Sequence, residues 1–148
     1  MRKILRLMVA GAAGFISLLF LSGCLSTNPG SSSMAFIDLD TGTVATIRAE
    51  MIRVFEDDNY TLIRDADGEM VFEREATERD RVLYGRFGDE QLAMRIVASI
   101  EPRRKGGYLV RADAYAIHDR RTEKLSSLAR RPFQALLNRV KASLVTSN

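Results

Sequence analysis

The chain is poor in the residues that usually carry chemistry. Among its 148 residues stand one Cys, one His, no Trp and three Pro. A single Cys cannot close an intramolecular disulfide. One His and one Cys cannot supply the four-ligand sets of the usual structural zinc sites. His118 is the only imidazole, so any Ser-His-Asp or Cys-His arrangement would have to use it. Ser126 and Ser127 lie near it in sequence, but neither sits in a nucleophile-elbow motif, and no Ser-x-x-Lys occurs. Hydrophobic residues make up 46% and charged residues 28%. That balance fits one globular domain and excludes collagen, long disorder and a multi-span membrane protein.

What is present begins at the N-terminus. Arg2, Lys3 and Arg6 form a short cationic start, and Leu7 to Leu21 is an uncharged apolar run. Leu21-Ser22-Gly23-Cys24 follows. A positive start, an apolar stretch and small residues before a cleavage point describe a secretory signal peptide. The run is short of the roughly 20 residues that span a bilayer. The last four residues resemble a bacterial lipobox: an aliphatic residue, two small ones, then Cys. The resemblance covers residues 1–24 only. It implies cleavage after Gly23 and acylation of Cys24 as the first mature residue. Two or three acyl chains anchor stably where one does not. Leu25 follows the Cys, where an Asp would retain an enterobacterial lipoprotein in the inner membrane. The resemblance therefore implies the outer membrane, on its periplasmic side.

Maturation changes the charge. The formal net charge is +3. Residues 1–23 hold three bases and no acids, so 19 basic residues face 19 acidic ones in the mature chain. Nucleic-acid binding thereby loses its electrostatic footprint.

Three regions are expected: a signal peptide at 1–23, the acylated Cys and a flexible tether at 24–33, and one domain at 34–148. The tether is uncharged and rich in Ser, Gly and Pro. A coil of that length holds a domain within roughly 15–20 Å of its anchor. In the domain, Met34 to Asp40 reads as a short edge strand. Val44, Ile47, Met51, Val54 and Phe55 recur as a helical stripe, with Thr43 as N-cap and Asp57-Asp58-Asn59 as the stop. Strands are expected over 60–65, 69–75, 81–87, 91–101 and 108–118. Asp67-Gly68 marks a hairpin turn, and Lys105-Gly106-Gly107 a second turn. The range 119–131 reads as a loop with a short helical turn near 125–128. Pro132 then opens a helix carrying Phe133, Leu136, Leu137, Val140 and Leu144 on one face. The expected fold is α+β: an antiparallel meander of about five strands covered on one face by two helices.

Few candidate sites emerge. Glu73, Glu75, Glu78 and Asp80 are interleaved with Arg74, Arg79 and Arg81, which predicts a salt-bridged, solvated loop rather than a catalytic carboxylate pair. Asp65-Ala66-Asp67-Gly68-Glu69 resembles the start of a calcium loop, but Ala76 falls where the closing carboxylate belongs. Neither a metal nor a cofactor is expected, nor an enzyme.

Charge is segregated. Residues 24–101 hold 8 bases and 16 acids, whereas residues 102–148 hold 11 bases and 3 acids. Arg103, Arg104, Lys105, Arg120, Arg121, Arg130 and Arg131 are candidate contacts for an anionic lipid or an acidic envelope protein. The halves could equally attract each other. On β-strand alternation, Val97, Leu109, Tyr115 and Ile117 fall on the sheet face away from the helices, a candidate docking patch. Val110, Ala112, Ala114 and Ala116 form a small-residue face that seats a helix or leaves room for an amphipathic ligand. The expected role is a non-catalytic, membrane-anchored interaction or assembly module, with binding of a lipid or amphipathic small molecule between sheet and helices as the alternative.

Overall fold

A computed structural model describes residues 33–66, 68–85, 91–119 and 121–146. Cys24, most of the expected tether, Asp67 and Arg120 lie outside them. The elements in chain order are β1 (Ala35–Leu39), α1 (Val44–Glu56), β2 (Thr61–Ala66), β3 (Glu69–Glu75), α2 (Glu78–Tyr84), β4 (Leu92–Pro102), β5 (Tyr108–His118) and β6 (Arg121–Lys124). A 3-10 turn at Ser127–Ala129 leads into α3 (Arg130–Thr146). One antiparallel sheet runs β1-β5-β4-β3-β2, and β6 shares with β1 the same edge of β5. The fold is an α+β sandwich, with α1 and α3 on one face of the sheet. Among the described residues no helix is long and apolar enough to cross a membrane.

Helix α1 starts and stops on local signals. Thr43 caps it: its side chain accepts from the Thr46 N–H at 3.2 Å, and Thr46 Oγ1 accepts from the Thr43 N–H at 2.9 Å. At the far end Asn59 takes a left-handed φ of 63°. The Tyr60 N–H then reaches back to the Phe55 carbonyl at 3.0 Å. This is a Schellman closure with Asn at the left-handed position. It brings the Tyr60 ring to 6.0 Å from Phe55, which itself lies 4.5 Å from Phe72.

The core follows from strand alternation and register. Leu92, Met94, Ile96 and Ala98 of β4 are buried, as are Val110, Ala112, Ala114 and Ala116 of β5. Met94 lies opposite Ala116, and Ile96 opposite Ala114. Large side chains beside small ones leave a trough along β5. Phe133, Leu136, Leu137 and Val140 of α3 join the same buried cluster and fill it. The small-residue face therefore packs in the same buried cluster as α3.

Several expectations are corrected. The predicted strand over 81–87 is instead α2 through Tyr84; residues 86 and 87 lie outside the described range. A capping box decides it. Thr77 accepts from the Asp80 N–H at 3.2 Å, and Asp80 accepts from the Thr77 N–H at 2.9 Å. Gly85, which looked like an interruption, is the stop: a Cβ there would lie 2.3 Å from the Arg81 carbonyl oxygen.

The expected loop over 119–131 contains β6, and α3 begins at Arg130. Pro132 is thus the third helical residue, where a missing N–H still costs nothing because the first turn has no internal acceptors. The meander runs only from β2 to β5, and β1 sits on the far edge. Helix α1 makes that crossing. Its 13 residues span about 20 Å, close to the four strand spacings of about 4.8 Å between β1 and β2.

Candidate functional site

Among the described residues, a cleft of about 310 Å³ lies between α2 and the beginning of α3. It lies at the end of the sheet where β3 leaves and β4 enters, the Ala76 N–H bonding the Leu92 carbonyl at 3.0 Å. Tyr60, Phe133 and Leu136 form its apolar floor, and all three are buried. Leu83 and Leu128 stand at its walls, 57% and 93% exposed. Two exposed large apolar side chains thus flank one concavity.

Beneath the floor sits a charge pair. Arg74 Nη2 lies 2.9 Å from Asp80 Oδ2, and both side chains are largely buried. Asp80 also accepts from the Thr77 hydroxyl at 2.7 Å. The Arg74 guanidinium carbon lies 4.8 Å from the Tyr60 ring centroid. Its Nε is buried with no acceptor among the described residues. Burial pushes the Tyr60 phenol above its ordinary range, and Arg74 only partly offsets this. Burial, then Asp80, likewise raises Tyr84, a cleft residue on α2.

The cleft's charges are uneven. Asp58 is taken by Arg139, whose Nη1 approaches Oδ1 at 3.1 Å, and Asp80 by Arg74. Arg79 and Arg131 also line the cleft and have no ion pair among the described residues. The net local charge is positive at the mouth.

No protein-family model and no curated protein sequence matches this chain. Its function must therefore be argued from its own residues.

The basic residues singled out in the sequence do not form one patch. Arg103, Arg104 and Lys105 occupy the tip joining β4 to β5, and Arg121 lies at the opposite end of β5, paired with His118 in register. Arg103 Nη1 is engaged by Asp40 at 3.2 Å and Asp38 at 3.5 Å. Arg130 packs over the Phe36 ring at 5.3 Å. Only Arg131 reaches the cleft; Arg120 lies outside the described residues. Segregated charge is thus partly spent inside the fold, since Arg103 and Arg139 belong to the basic segment and their partners to the acidic one.

The open sheet face is covered by its own long side chains. Arg95 Nη2 lies 2.7 Å from Glu73, Arg111 Nη1 lies 3.2 Å from Glu101, and Lys124 Nζ lies 3.0 Å from Asp113. Val97 pairs with Val71 and Asp113, Tyr115 with Arg95, and Leu109 with Glu101. Leu109 is buried and Val97, Tyr115 and Ile117 are half-buried. Val97 thus lies beside Val71, and Ile117 beside Ala93, as short apolar pairs among the ion pairs of this face.

Sequence reasoning placed Arg74 and Asp80 in a salt-bridged, solvated loop, whereas the pair is largely buried and Asp80 lies in α2, and it did not single out Leu83 or Leu128. One signal was available: Thr77-Glu78-Arg79-Asp80 has capping-box spacing, which places a helix directly after β3.

Proposed function

We propose that the protein is a cell-envelope lipoprotein, anchored through acyl chains on Cys24, whose domain is a non-catalytic docking module. The lipobox-like Leu21-Ser22-Gly23-Cys24 supports the anchor, and Leu25 after it favours the outer membrane facing the periplasm. The observation that carries the docking role is the pairing of exposed Leu83 and Leu128 around a cleft with two arginines that have no ion pair among the described residues. Elsewhere most of the charged surface is tied up internally. The domain thus offers one apolar, cationic surface to an acidic envelope partner.

A photoreactive residue placed at position 128 in the full-length protein tests this in native membranes. The expected result is a discrete crosslinked product that is absent when the same residue stands at position 145, another exposed apolar site, on α3. Identical labelling from both positions would defeat the docking assignment. Failure at position 128 alone would do the same.

A further inference from the structure

We infer that the cleft takes an anionic single-chain amphiphile, its acyl chain lying on Tyr60, Phe133 and Leu136 and its head group held by Arg79 and Arg131. The inference names an occupant for the same cleft and rests on that cleft being the working surface. A volume of about 310 Å³ is at the small end of ligand sites, roughly 300–1,000 Å³. It equals the space of about ten waters of about 30 Å³ each, enough for a short run of methylenes and too little for a two-chain lipid.

The chemistry of the walls selects the ligand. The floor and sides are apolar, so the body of the ligand must be apolar. The mouth carries two guanidiniums without carboxylate partners among the described residues. Planar guanidinium forks favour carboxylate and phosphate oxygens. A cationic or neutral head would leave those charges uncompensated. The start of α3 adds to the preference. Arg131 and Pro132 of its first turn line the cleft, and that turn contains no acidic residue to offset its partial positive charge. The two acids at the cleft do not oppose this, because Asp58 and Asp80 are already neutralised by Arg139 and Arg74.

Either a free fatty carboxylate or a lysophospholipid phosphate would present this chemistry. The test uses photoactivatable twelve-carbon chains added to native membranes that carry the full-length protein. The heads are carboxylate, glycerophosphate or trimethylammonium, and adducts are mapped by peptide mass spectrometry. Adducts are expected around Leu83 and in 128–136 from the two anionic probes, about tenfold fewer from the cationic probe. The stronger of the two anionic arms identifies the source. The double variant R79E/R131E should abolish that preference, while R104E, at the distant β4–β5 tip, should keep it. A charge-assisted contact of this kind is worth roughly tenfold or more in affinity. Melting of the double variant at the wild-type temperature shows that the loss is not unfolding, since both arginines are exposed. Equal labelling by all three heads would overturn the proposal, and so would adducts concentrated on the open sheet face. Should position 128 still crosslink a protein while no lipid probe labels the cleft, this inference falls and the docking reading survives.

Discussion

The residues that distinguish the cleft are ionisable groups brought out of water in partnership. Arg74 and Asp80 neutralise each other, and Tyr60 lies against the guanidinium. Because burial raises the Tyr60 phenol, its ionisation is disfavoured in the folded chain relative to the unfolded one, where tyrosine titrates near pH 10. The sign follows: stability is intact below about pH 10 and falls as pH rises through the higher folded value. Tyr60→Phe removes the proton that drives this loss. At neutral pH the variant is expected to be about 1 kcal/mol less stable, because Arg74 loses the neighbouring hydroxyl. Above pH 10 the deficit should shrink. Urea midpoints at pH 8 and pH 11 measure it, and an unchanged difference at the two pH values would contradict the assignment. Some alkaline slope should persist in the variant, because Tyr84 is raised as well.

Among the elements, β1 ends the strand path opposite β2, with β5 as its one strand neighbour among the described residues. Helix α3 covers its free edge with one side chain. Gln134 Nε2 donates to the Phe36 carbonyl at 2.8 Å, and Gln134 Oε1 accepts from the Phe36 N–H at 3.3 Å. The amide thus satisfies one outward donor and one outward acceptor, as a further strand would. Gln134→Ala should cost about 1–2 kcal/mol in denaturant melts. It should also speed hydrogen exchange at the Phe36 amide more than at Ile37. Equal acceleration at both would point to general loosening instead. The elements also show what was legible beforehand. α1 and α3 declare themselves by stripes of Ile47, Met51, Phe55 and of Phe133, Leu137, Val140, and β4 and β5 by alternation over 11 residues each. α2 does not, because seven residues are too few to establish a period and its charges alternate in sign. The cleft was illegible for a different reason. Tyr60, Arg74, Leu83 and Leu128 come from four separate stretches, and only the tertiary fold brings them to the lining of one cleft.

At the scale of the whole molecule, the proposed anchor at Cys24 and the fold are expected to be separable. The described hydrophobic core begins at Met34, whose N–H is held by Asp113 Oδ1 at 2.9 Å. Asp113 in turn takes Lys124, so the start of the domain is fastened to β5 beside the end of β6. Ion pairs between the acidic and basic segments, Arg103 with Asp38 and Asp40 and Arg139 with Asp57 and Asp58, close within the domain and owe nothing to residues 1–33. Removing the proposed acyl acceptor should therefore relocate the protein without weakening it. Cys24→Ser, expressed with its own signal segment, is expected to lose the mass of the acyl chains. Its thermal melting midpoint should match that of the parent chain. Fractionation distinguishes the two ways residues 7–21 could be used. If they serve only as a signal, blocking lipidation also blocks maturation at the lipobox, and the unprocessed precursor accumulates with the inner membrane. Release into the soluble fraction should then follow when the lipobox is replaced by an ordinary secretory cleavage site. A parent protein that already lacks acyl mass, and stays membrane-bound through an uncleaved 7–21 segment, would show that the apolar run itself is the anchor and that Cys24 is incidental.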